Sequence, residues 1–180
     1  MRTCRAAAAG KLTVVLATLV LVASCGAGGP SPRAWAASVC SALTPWRAEI
    51  SKLTSSTTQQ MTAQTTPAQA KENLVRLFGG AEQASETARE KVEQAGVPEV
   101  EHGEEVSAGF RASLASMRDA YGRARATIDG LGTGEATVFY DGVRAAVEDL
   151  QRQYDASALD TSQLNSEELK RAFDEVPECR

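Results

Sequence analysis

Apolar residues recur along most of this chain at steps of three and four, the period of an α-helix with one buried face. The first seam runs through Val39, Leu43, Trp46, Ile50 and Leu53, with Cys40 on its inner edge. A second carries Ala70, Leu74, Leu77, Ala81, Ala84, Ala88, Val92 and Ala95 and stops at Gly96. The third is the bulkiest, from Val106 through Phe110, Leu114, Met117, Tyr121, Ala124 and Ile128 to Leu131, and the glycines after Asp129 end it. Phe139, Val143, Val147, Leu150 and Tyr154 define a fourth, and Leu169, Ala172, Phe173 and Val176 a short fifth before Pro177. No stretch alternates apolar and polar residues between turn signals as a strand would. The pattern therefore predicts an all-α chain, an antiparallel four-helix bundle with an additional short C-terminal helix packed across one end.

Local signals punctuate these seams. Thr66-Pro67-Ala68-Gln69 reads as a capping box with proline at the first helical position, and Asn165-Ser166-Glu167-Glu168 as another. The alanines of the second seam let a neighbouring helix approach closely and leave little room for a large ligand. Gly79-Gly80 costs that helix about 1 kcal/mol per glycine and marks a place to kink. Pro45 removes a backbone donor in the middle of the first seam. Two readings follow: a kinked helix, or a short one ending near Leu43 with a second capped by Thr44. Thr54 to Thr66 is a Ser, Thr and Gln tract whose side chains compete for backbone hydrogen bonds, so the helix should fray within it. Its alternative reading is an O-glycosylated surface stretch.

The start of the chain is of another kind. Residues 1–24 combine a basic opening (Arg2, Arg5, Lys11), an apolar run from Leu12 to Ala23 and small residues at the exit, the three parts of a secretory signal. The run is about 12 residues, short of the roughly 20 that a spanning helix needs. Val22-Ala23-Ser24-Cys25 closes it, and this quartet resembles the lipobox of bacterial lipoproteins: an aliphatic residue, two small ones and a cysteine. The resemblance implies cleavage before Cys25, diacylglycerol on its sulfur and attachment to the cell membrane by lipid, outside the cytoplasm. More than one acyl chain is what makes such a hold durable, since a single chain is marginal. Residues 25–33 then read as lipidated cysteine and flexible linker, and residues 34–180 as the bundle domain.

Charge and cysteines change the picture further. Residues 1–24 hold three of the 19 basic residues and none of the 23 acidic ones, which leaves the other 156 residues at a net −7. An acidic domain of this kind argues against nucleic acid as a partner. Of four cysteines, Cys4 leaves with the signal and Cys25 takes lipid. Cys40 and Cys179 remain, in an oxidising compartment where an even pair forms a disulfide. Such a bridge would tie the first helix to the end of the last. With its Ala-, Arg- and Gly-rich composition and a Trp and Cys opening matched by a C-terminal Pro-x-Cys, the chain is similar to small helical lipoproteins of high-GC Gram-positive bacteria.

Candidate chemistry is sparse. Glu99 and His102 have the Glu-x-x-His spacing of di-iron bundles, which need that motif from two helices. With one histidine in the chain the full site cannot be built, and a looser divalent-metal site from Glu101, His102 and Glu105 is the remaining metal reading. No phosphate loop, dinucleotide fingerprint, nucleophile elbow or Cys-x-x-Cys is present. The expectation is a non-enzymatic protein without a cofactor, which binds an envelope protein or a small ligand. A carrier of a lipophilic molecule would need a cavity between helices lined by Phe110, Leu114, Met117 and Phe139. Trp35, Trp46, Tyr140 and Tyr154 are the aromatic residues to follow at a surface, with Trp35 near enough to Cys25 to meet headgroups.

Overall fold

Five α-helices follow one another in a computed structural model that describes residues 28–157 and 166–179. They are α1 (Pro32–Gln60), α2 (Pro67–Gln94), α3 (Gly103–Asp129), α4 (Ala136–Ala156) and α5 (Glu167–Glu175), and a 3₁₀ turn over Pro177–Cys179 follows α5. Among the described residues there is no strand. The four long helices and the short C-terminal one are those that the seams predict. The signal, the lipobox with Cys25 and the polar link at Asp160-Thr161 lie outside the described residues.

The ends of the helices follow their capping chemistry. Ser31 accepts a bond from Ala34 N and puts Pro32 in the first turn of α1. At Thr66 the capping box is complete: its hydroxyl accepts from Gln69 N, and its own N–H donates to Gln69 Oε1 at 3.0 Å. The cap of α5 is Ser166, which accepts from Leu169 N; with Leu169 and not a glutamate at the third helical position, the capping box read over residues 165–168 does not close. Gly96, just past α2, takes the left-handed φ of 74° that closes a helix C-terminus without a Cβ clash.

Packing decides against the split-helix reading of Pro45. Neither a break nor a new helix occurs at Pro45, because α1 is continuous through it. Thr44 does not act as an N-cap; its hydroxyl donates to the carbonyl of Glu178 at 3.1 Å, beside the chain terminus. Val39, Cys40, Leu43 and Trp46 are buried on both sides of the proline, so core contacts hold the helix across the missing backbone bond. Gly79-Gly80 likewise leaves α2 unbroken. A Cβ on Gly80 would lie 2.8 Å from Leu53 Cδ1, so the missing side chain is the space that α1 uses to pass. In the polar tract the helix persists to Gln60 and stops at Met61, and Thr62 and Thr65 bond to each other in the loop.

Pairs of contacting residues fix the topology. Trp35 with Gly96 and Trp46 with Ser85 run α1 antiparallel to α2. Arg118 with Glu86 and Arg125 with Glu82 do the same for α2 and α3, and Arg123 with Gln153 and Leu131 with Gly142 for α3 and α4. Helix α2 packs against both α1 and α3, α4 rests mainly on the C-terminal half of α3, and α5 with the 3₁₀ turn lies on α1. Three rings from three helices centre one end of the core. Trp35 meets Phe110 edge-on at 5.3 Å and Phe173 at 6.0 Å, and Phe110 stacks on Phe173 at 5.8 Å. Cys40 and Cys179 are bonded there, so the staple that the cysteine count predicts fastens α5 onto α1.

Candidate functional site

The outer face of α4 holds four of the five exposed large apolar side chains among the described residues. Phe139 and Ala146 are buried against it, and Val143 and Leu150 are half-buried. Tyr140, Val147 and Tyr154, at heptad spacing on one flank, are 38%, 41% and 40% exposed, and Val138 at the start of the helix is 62% exposed. The seam read from the sequence is thus real, but only part of it meets α3. Burial, with Tyr154 nearby as a lesser cause, pushes the Tyr121 hydroxyl pKa up beneath this helix.

A second feature lies between α1 and α2. Pro45 and Trp46 from α1 and Gly80, Ala84 and Ala88 from α2 line a groove of about 440 Å³ whose lining is mainly apolar. Trp46 is 8% exposed and its Nε1 donates to Ser85 Oγ at 3.0 Å, which in turn donates to Ala81 O. The indole is therefore fixed as the floor. Lys91 stands at the α2 end.

Between α2 and α3, charge is paired rather than poised. Glu86 accepts from Arg89 and from Arg118, the latter at 2.7 Å, and Arg89 also reaches Glu93. The bonds from Arg89 and then Arg118 hold the Glu86 carboxyl at a pKa of about 2. This ladder joins two helices and leaves the carboxylate no proton to exchange near neutral pH.

The residues singled out for metal binding do not form a site. Glu101 and His102 precede α3 rather than sharing a helical face with Glu105, and His102 has left-handed backbone at φ 59°. Its Nε2 is 3.7 Å from Glu101 and its Nδ1 3.8 Å from Glu105, with all three side chains mostly in solvent. Among the described residues no three His, Cys, Asp or Glu side chains are grouped to hold a metal. Glu104 and Glu105 occupy the first turn of α3, where the helix dipole favours them.

Nor do the proposed cavity residues converge. Phe110, Leu114 and Met117 belong to the continuous core and are filled in by Trp35 and Phe173, whereas Phe139 packs apart from them beside Tyr140. The apolar concavity at α1 and α2 was not visible in either seam alone, because Trp46 belongs to one, Ala84 and Ala88 to the other, and Pro45 and Gly80 from outside both complete it. Of the four aromatic residues followed to the surface, Trp35 and Trp46 are core and Tyr140 and Tyr154 are exposed. Trp35 is fully buried with Nε1 bonded to Gly96 O, so it meets no headgroup. No described helix is long and apolar enough to cross a membrane. Comparison with known proteins finds no matching family model, curated protein or solved structure.

Proposed function

We propose that this protein is a non-enzymatic binding module of the cell envelope, held outside the cytoplasm by lipid on Cys25 and docking a partner protein through α4. The observation that carries the docking part is the flank of Tyr140, Val147 and Tyr154, a row of large apolar side chains left open on a helix whose opposite face is buried. Tyrosines supply broad contact area with a polar tip and few rotatable bonds, which suits a surface that must be wet when free. Support for the location comes from the Val22-Ala23-Ser24-Cys25 quartet and from a disulfide that persists in an oxidising compartment. A photo-crosslinking residue at Val147 in the full chain, in its own membrane, should yield a discrete adduct. The same residue at Glu72 should yield none. Identical patterns at the two sites would sink the docking role, and a Cys25→Ser chain still in the membrane fraction would sink the anchor.

A second reading, carriage of a lipophilic molecule, is favoured by the groove over Trp46 rather than by the interior. An environment-sensitive apolar probe should shift the emission of Trp46 and lose that effect in Ala84→Gln. An unchanged spectrum at saturating probe would end this reading.

A further inference from the structure

The stretch that composition marks as a free spacer is pinned to the body of the protein. Glu99 N donates to Pro30 O at 2.9 Å, which fixes the chain before α1 against the loop between α2 and α3. Gly29 lies so close that a Cβ there would sit 2.0 Å from the carbonyl oxygen of Val97, and one on Gly28 would sit 2.9 Å from Glu99 Oε1. Only glycine fits this approach at Gly29, because backbone and not a flexible side chain is in the way. Gly28, three residues after Cys25 in the sequence, is thus already part of the body.

From this contact we propose that the α2–α3 end of the bundle is the face held at the lipid headgroups, so that the helices stand on end above the membrane. The proposal rests on the lipid anchor at Cys25. Three residues of fully extended chain reach about 10 Å, too little for the body to turn over and bring its opposite end to the lipid without tearing Pro30 from Glu99. The face brought to the leaflet carries Glu99, Glu101, Glu104 and Glu105, with His102 beside Glu101 and Glu105, while Arg33 at the start of α1 pairs with Glu175. A leaflet of anionic lipid repels these carboxylates within a Debye length of roughly 8 Å at physiological salt. A short covalent tether against that repulsion keeps the end close without adhesion, and the net −7 of residues 25–180 opposes laying the long side of the body on the same leaflet.

One consequence bears on docking. Tyr154 lies level with Tyr121 and Tyr140 beyond Leu131, since Gly142 packs on Leu131. Counting from Gly103, Tyr121 is about 27 Å along α3. The exposed row on α4 is thus carried in the outer part of the standing bundle, away from lipid.

The test uses the full acylated chain in vesicles of phosphatidylcholine with phosphatidylglycerol, with a fluorophore on a thiol introduced by Glu101→Cys or by Gln64→Cys. Glu101 is at the near end, with its side chain 92% exposed, and Gln64 is exposed in the loop between α1 and α2. Energy transfer to a headgroup-bound acceptor should be strong from position 101 and weak from position 64. Inserting Gly-Ser-Gly-Ser-Gly-Ser after Gly26 leaves the fold untouched and should reduce the difference severalfold. Flotation of the protein with the vesicles is read first: a chain that does not float overturns the anchor and the orientation together. A chain that floats but transfers equally from both positions, or ignores the insertion, overturns the orientation alone.

Discussion

The indole Nε1 of Trp35 donates to the carbonyl of Gly96 at 3.0 Å, and the same oxygen accepts from Ser107 Oγ at 2.9 Å. One carbonyl past the end of α2 thereby gathers α1 and α3, each through a buried side chain. Ser107→Ala should cost about 1 kcal/mol, the net worth of one hydrogen bond, because Trp35 still serves the carbonyl. Trp35→Phe keeps most of the ring packing. Combined, the two leave the oxygen without a side-chain donor, so the double variant should lose about 1 kcal/mol more than the sum. Urea unfolding of the four chains measures this coupling, and strict additivity would contradict a shared acceptor.

The Cys40–Cys179 bridge spans a sequence separation of 139. Loop-closure entropy assigns such a link an upper stabilisation of roughly 5 kcal/mol. Reduction should act first on α5, whose described contacts are chiefly with α1 and the 3₁₀ turn. Amide exchange in α5 should therefore accelerate by a larger factor than exchange in α2 and α3. Uniform acceleration would mean that the staple holds the whole bundle rather than its C-terminal helix.

Most of the helices were legible because burial and period coincide: Leu114, Met117, Tyr121, Ala124 and Ile128 are one stripe in the sequence and one face of the core. The cap at Thr66 was legible because the chemistry is local, whereas at α5 the box was read one residue too early. What was not legible depends on residues distant in the chain. Pro45 breaks a helix unless tertiary contacts hold it, and those contacts come from α2 and the C-terminus. Gly28 and Gly29 read as a flexible spacer, yet the Val97–Glu99 loop turns them into a fitted contact. Along α4 the sequence shows an apolar seam but not how much of it another helix covers, so the exposed row at Tyr140, Val147 and Tyr154 emerges only in three dimensions.

Two glycines of α3 should respond in opposite directions to the same change. Gly109 is exposed, and a Cβ there would meet nothing within 4 Å. Gly109→Ala should raise stability by about 0.5–1 kcal/mol through helix propensity and a less disordered unfolded chain. Gly103 is buried, and its Cβ would fall 2.2 Å from the carbonyl oxygen of Pro98. Gly103→Ala forces that loop to move and should cost about 1–3 kcal/mol. Thermal unfolding of both variants decides the matter, and a loss at Gly109 would be the surprising result.

Acid should reach the α2–α3 interface through Glu86. Its pKa is lowered from 4.5 to about 2, first by the hydrogen bonds from Arg89 and then by those from Arg118. A carboxylate depressed on folding contributes stability that is complete above its unfolded value and is lost as pH falls toward its folded one. The contribution of Glu86 is therefore intact at pH 6 and drains away between about 4.5 and about 2. Glu86→Gln removes the charge and leaves Arg118 with Asp119 at 2.7 Å as its remaining ion-pair partner. The denaturation midpoint of the variant should fall below that of the parent near neutrality and converge with it at the acid end, as both lose the same bond to protonation or to substitution. A constant gap between the two profiles down to pH 2 would show that this carboxylate titrates alike in the folded and unfolded chains, against the bonds from Arg89 and Arg118.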